Sequence, residues 1–136
     1  MSNENIMDDG NLEIIKEMVK KLDAISNENR LKILLIIAKE SSKPPELRRP
    51  TYVRSIANHL KEDYGISMSL TGITKNHLTR LINAGFIKKE PGLYNDMPVK
   101  NYVLVPEAFE ALNIDINKIS NQISKFKEEI STYKKQ

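Results

Sequence analysis

The chain contains no cysteine, which excludes a disulfide framework, a thiolate nucleophile and any cysteine-ligated metal site. Histidine is nearly as scarce, with His59 and His77 alone and on different segments. No apolar run approaches the ~20 residues that cross a bilayer. The longest, Ile33 to Ala38, has the length of a core segment. The first ten residues are polar and acidic, without the basic and apolar stretches of a secretion signal, so a cytoplasmic protein with no membrane partner is expected. No nucleophile–base pair, phosphate-cradling glycine loop or metal-spaced cluster is found, and the expectation is a non-enzyme that needs no cofactor.

What is present points to one compact soluble domain with a modest appendage: 136 residues, 40% hydrophobic and 29% charged. The net charge of +3 is small but unevenly spread. Met1 to Ser42 carries 6 basic and 8 acidic residues, Lys43 to Val105 carries 10 and 5, and Pro106 to Gln136 carries 5 and 5. The basic excess therefore sits in the middle of the chain.

The sequence divides into a disordered tail over 1–10, a domain over 11–105 and a closing helix over 106–136. Asn11 can cap a first helix whose Leu12, Ile15, Val19, Leu22 and Ile25 recur at helical spacing. Ser26 is a natural cap for a second helix to about Lys39. Its Leu31 and its run from Ile33 to Ala38 leave almost no polar face and predict a central core position. Ser41 to Pro50 holds three prolines and three basic residues and reads as a loop. Thr51 precedes a third helix with Val53, Ile56, Ala57 and Leu60 on one face, ending near Gly65. Ser67 or Ser69 can cap a fourth, which runs to Ala84 and stops at Gly85. Two short helices across a polar turn form a helix-turn-helix pattern. Phe86 to Glu90 and Lys100 to Val105 read as strands flanking a turn-rich Pro91 to Val99, and a β-hairpin in this place is the wing of a winged-helix domain. From Pro106 onward, Phe109, Leu112, Ile116, Ile119, Ile123, Phe126, Ile130 and Tyr133 recur at alternating steps of three and four, a heptad register that Asn113 and Asp115 can interrupt. The fold class is thus mainly α with a small β-hairpin wing and a long C-terminal helix.

Leu22 to Leu34, with its capped turn followed by Arg30-Leu31-Lys32-Ile33-Leu34, resembles the characteristic entry of the ArsR-like winged-helix transcription regulators. His77-Leu78 with Leu81 and Ala84-Gly85-Phe86-Ile87 is similar to the end of that family's recognition helix, and Asn101 to Leu104 resembles its returning wing strand. The resemblance covers roughly Asp23 to Val105. It implies a regulator, most often a repressor, that binds a pseudo-palindromic double-stranded DNA operator as a homodimer. The metal sensing of many members is not carried over, because the cysteines are missing. Lys75-Asn76 stands where the family often has Ser-Arg, so no target sequence is borrowed.

On a helical wheel, Leu70, Ile73, Thr74, His77, Leu78 and Leu81 face inward, while Gly72, Lys75, Asn76, Thr79 and Asn83 lie opposite with Arg80 at the flank. That polar side suits a major groove. Asn76 can read adenine and Lys75 guanine or a phosphate, and Ser69 and Thr71 suit phosphate contacts near the helix start. Arg54, the wing residues Lys88, Lys89 and Lys100, and the loop residues Lys43, Arg48 and Arg49 are the further backbone contacts. The wing tip, Leu93 to Met97, is not basic. His77 is expected to be a packed, hydrogen-bonded core residue, His59 to be exposed, and the Tyr64, Tyr94 and Tyr102 rings to pack. Leu12, Ile15 and Val19, with Ile116, Ile119, Ile123, Phe126, Ile130 and Tyr133, are expected to dimerise the chain, unless the last helix folds back on its own domain. A small-molecule effector in a cavity at that interface remains open. The alternative function is a winged-helix protein-interaction module of the transcription machinery.

Overall fold

The computed structural model describes the backbone of residues 2–135 and the side chains of 10–132. Among the described residues, five helices and one hairpin follow one another in the expected order, with a single 3-10 turn, Pro45–Leu47, in the loop after the second helix. The first helix, α1 (Ser2–Ile25), starts ahead of the expected cap at Asn11, so positions read as a disordered tail are helical backbone. The physical reason is the lack of a breaker: no proline precedes Pro44, and Gly10 weakens a helix by only about 1 kcal/mol. In α2 (Glu28–Ser41) the cap is Asn27, whose side chain accepts the Arg30 N–H at 3.0 Å. The expected cap, Ser26, instead closes α1 by donating to the Asp23 carbonyl at 2.8 Å.

Ile33, Leu34, Ile36 and Ile37 of α2 form the centre of the core. The helix is not enclosed on all sides, however. Neighbours cover it from α1, the third and fourth helices and the returning strand, and they leave Leu31 and Leu35 exposed. The loop after α2 is pinned rather than free. The Glu40 carboxylate accepts from Lys43 Nζ at 3.1 Å and from the Arg49 N–H at 2.8 Å, and Arg48 Nε donates to the Lys43 carbonyl at 2.6 Å. Burial raises the Glu40 pKa, but these bonds outweigh it and hold the carboxyl below its ordinary value.

The third helix, α3 (Val53–Tyr64), begins on a Ser55 hydroxyl that accepts the Tyr52 N–H at 3.0 Å, and it ends where Gly65 takes φ 67°. Only glycine adopts that left-handed turn without strain. After a short turn, α4 runs from Leu70 to Asn83 in three consecutive pieces: Leu70–Gly72, a π-helical stretch Ile73–Leu78, and Thr79–Asn83. Ser69 caps it by accepting the Gly72 N–H at 2.9 Å. Gly85, at φ 84°, turns the chain into the hairpin.

The hairpin is longer than its sequence suggests. Strands β1 (Ile87–Tyr94) and β2 (Met97–Leu104) pair in register from Ile87 with Leu104 to Tyr94 with Met97. Its turn is the two-residue Asn95-Asp96, at φ 49° and 66°, whose double left-handed geometry matches the twist of paired strands. Pro91 and Pro98 are kept inside the strands, where the sequence reading placed loop. Thr51 adds a short third rung: its carbonyl accepts the Tyr102 N–H at 2.8 Å and its N–H donates to Asn101 Oδ1 at 2.7 Å.

The C-terminal helix (Pro106–Lys135) is continuous through Asn113 and Asp115. Ala108 and Leu112 are buried in the core, and the Phe109 ring lies 4.5 Å from that of Phe86. From Ile116 onward the helix leaves the domain alongside α1, to which Gln122 donates at 3.3 Å through the Asn11 side chain. The molecule is therefore a winged helix-turn-helix with a two-helix arm.

Candidate nucleic-acid interface

Burial of one side of α4 decides what its other side presents. Ile73, Leu78 and Leu81 are fully enclosed and His77 nearly so, as periodicity predicts. Thr74 is half-buried and donates its hydroxyl hydrogen to the Leu70 carbonyl at 3.0 Å. Leu70, expected inside, is 37% exposed, because the helix begins there and has little domain beneath it. Ser69, Thr71, Lys75, Asn76, Thr79, Arg80 and Asn83 are exposed. Gly72 is half-buried, and a Cβ there would come within 2.9 Å of Ser69 Oγ.

These residues are not equally free. The Thr79 hydroxyl donates to the Thr74 carbonyl at 2.9 Å, so it retains only acceptor capacity. Arg80 leans towards the Asp23 carboxylate of α1, 3.8 Å away. Lys75 and Asn76 have no side-chain bond among the described residues. Arg54 is exposed in the first turn of α3.

The wing lysines separate. Because successive strand residues face opposite sides, the pairing of Lys89 with Tyr102 and of Pro91 with Lys100 puts Lys89 and Lys100 on one face, that of the buried Ile87 and Tyr102. Lys88 projects from the other face, 3.2 Å from Glu90. There it borders a cleft shared with Arg48 and Arg49. Sequence adjacency grouped Lys88 with Lys89, whereas the pleat divides them. The wing tip carries no basic residue: Leu93 and Met97 are exposed beside the Asn95-Asp96 turn.

His77 is packed as expected, but its Nδ1 has no hydrogen-bond partner. Burial first, then the Arg30 and Arg80 guanidiniums, push its pKa below the ordinary imidazole value. The folded imidazole is thus neutral at pH values where an unfolded one takes a proton, below about 6.5. The unfolded state then binds more protons, so stability is present above that value and is lost as pH falls. We expect the urea midpoint to drop between pH 7.5 and 5.5, and His77→Leu to flatten that drop. A wild-type midpoint that rises toward pH 5.5 would contradict the assignment.

His59 is exposed, 3.6 Å from Asp63. Tyr102 packs, its ring buried, which raises the pKa of the hydroxyl. Tyr94 lies 5.2 Å from Tyr52, and Tyr64 stays on the surface beneath the Lys32 ammonium. Among the described residues no group of three acidic or histidine side chains is placed to hold a metal, and no helix is long and apolar enough to cross a membrane.

Of the residues expected at the dimer interface, Leu12, Ile15 and Val19 of α1 are exposed, as are Ile116, Ile123, Phe126 and Ile130 of the C-terminal helix. Ile119 is half-buried, and the side chain of Tyr133 lies outside the described residues. Sequence reading missed Arg30, a buried cation that reaches both α1 and α4. In sequence Arg30 is only the first residue of the Arg30-Leu31-Lys32-Ile33-Leu34 motif, in a helix that also carries Glu28, Lys32, Lys39 and Glu40, so no local pattern marks the bridge.

No protein-family model matches the chain, and no curated protein matches it in sequence. Among solved structures, the chain is similar to a PadR-family transcriptional regulator from Eggerthella lenta DSM 2243. The two are 16% identical over 97% of this chain and 95% of the other, with a TM-score of 0.41.

Proposed function

We propose that the protein is a sequence-specific double-stranded DNA-binding regulator of transcription, of the ArsR-like kind, that acts as a homodimer on a pseudo-palindromic operator, most simply as a repressor. The observation that carries this reading is the α4 surface, where Lys75 and Asn76 stand exposed and uncommitted directly opposite a closed apolar face. Asparagine offers the amide pair that matches adenine in the major groove, and lysine a donor for guanine or phosphate. Ser69, Thr71 and Arg54 supply phosphate contacts, joined by Lys89 and Lys100 from one face of the wing.

One such helix covers a single half-site, and a specific operator needs two at a spacing of about one turn of DNA. The arm offers the means of pairing. Each large apolar side chain moved from water into an interface contributes about 1.5–3 kcal/mol, and seven of the expected ones are exposed on the two helices of the arm. Packing of two arms would give a four-helix assembly.

The test is a fluorescence anisotropy titration with genomic fragments, the protein's own promoter among them, at two salt concentrations. A regulator prefers some fragments and loses affinity steeply as salt rises, because phosphate contacts release counterions. Equal, weak and salt-insensitive binding would instead favour the protein-interaction module.

A further inference from the structure

Arg30 stands in the first turn of α2 and is 6% exposed. A charge so placed is costly unless its donors are fully engaged. They are engaged by backbone carbonyls of two other segments. Nε donates to the Ala24 carbonyl at 2.6 Å and one Nη to the Asp23 carbonyl at 3.3 Å. Both lie in the last turn of α1, at the negative end of the helix dipole, where the Asp23 carbonyl also accepts from Ser26. The other Nη donates to the Asn76 carbonyl at 3.2 Å, inside the π-helical stretch of α4. Arg80 and Asp23 add a second link between the same two helices.

We propose that Arg30 is a positioning residue for DNA reading: it pins the π-helical stretch of α4 to the end of α1 and so sets the rotation at which Lys75 and Asn76 are presented. The inference rests on the DNA-binding reading above. A π-helical turn is wider than an α-helical one and is rare because it packs less well, so it persists where surrounding bonds hold it. Here the holding bonds are that of Arg30 to the Asn76 carbonyl and the two that Thr79 makes, through its N–H and its hydroxyl, to the Thr74 carbonyl. Relaxing the stretch to α geometry would leave Asn76 on the outward side but tighten the turn beneath it, and so shift Lys75 and Asn76 relative to Thr79 and Asn83 on that face. Only a guanidinium has the flat fork of donors that spans both helices; an ammonium reaches one of them. Because α1 also forms half of the arm, the same bridge ties the arm to the reading helix.

Arg30→Lys and Arg30→Met test this through two readouts. In the free protein, amide hydrogen exchange at Thr79 is expected to rise about ten-fold in both variants, the loss of roughly one hydrogen bond's worth of protection, while amides in the middle of α3 keep theirs. With DNA, discrimination between the preferred fragment and random duplex is expected to fall about ten-fold at an unchanged salt slope, since phosphate contacts are untouched. Asn76→Ala, costly in the wild type, should then cost little in the Arg30→Lys background. Arg30→Lys decides the matter if Arg30→Met does not fold. Unchanged exchange at Thr79, or fully additive effects of Arg30→Lys and Asn76→Ala, overturns the proposal. Raised exchange in α4, together with a wild type that has no sequence preference, upholds the pin and overturns the DNA reading instead.

Discussion

Replacing Phe86 by alanine is expected to remove about 3–5 kcal/mol of stability. Phe86 is fully buried at the junction of three elements. Its N–H donates to the Leu81 carbonyl at the end of α4, its carbonyl accepts from Val105 after β2, and its ring packs on Phe109 of the C-terminal helix. The cavity left by alanine cannot close without moving all three, which is why the cost belongs at the upper end for core truncation. Against a total of about 5–15 kcal/mol for a domain, such a loss takes a large share of the stability. Urea denaturation followed by circular dichroism measures it. A cost under about 1 kcal/mol would mean that the junction is not where the wing and the arm are joined to the domain.

The second large effect concerns the arm and leaves the domain intact. Ile123 and Phe126 are 60% and 61% exposed, so a double change to Ile123→Asp and Phe126→Asp removes little from the folded monomer. In a dimer built on the arm, the same carboxylates would be buried without partners, which costs several kcal/mol. The variant is therefore expected to be a monomer by light scattering at micromolar concentration, still cooperatively folded, with a urea midpoint that no longer rises with protein concentration as that of a dimeric wild type does. Its affinity for the operator should fall about 100-fold or more, because binding to the second half-site is no longer coupled to the first. A wild type that is itself monomeric under these conditions, or a variant that stays dimeric, contradicts the arm's role.

Much of this architecture is legible in the sequence because it rests on local rules. Periodicity marks the helices, Gly65 and Gly85 mark two exits, and strand-forming residues on either side of a turn-rich stretch mark the wing. What escapes the sequence is decided by neighbours. Ser26 and Asn27 are both good caps, and only the packing of α1 against α2 selects the second. The hairpin turn was hidden because Pro91 to Val99 is rich in turn residues throughout, while the register that extends both strands depends on pairing. Leu31, Leu35 and Leu70 read as core because apolar character says nothing about what lies opposite. Lys88 and Lys89 are adjacent in sequence and separated by the pleat. The bond of Arg30 to the Asn76 carbonyl joins residues 46 apart, beyond any local pattern.

The central claim is that the outward face of α4 reads DNA through Asn76 and Lys75. Its most direct test is a scan of single base-pair substitutions across the preferred fragment, with wild type, Asn76→Ala and Lys75→Ala titrated in parallel. The account predicts that Asn76→Ala weakens binding by about 1–3 kcal/mol and abolishes the preference at one position of each half-site, leaving the others intact. Lys75→Ala should do the same at a neighbouring position or, if it meets phosphate, weaken all fragments alike and lower the salt slope by about one. A base-preference profile identical in all three proteins would contradict the claim.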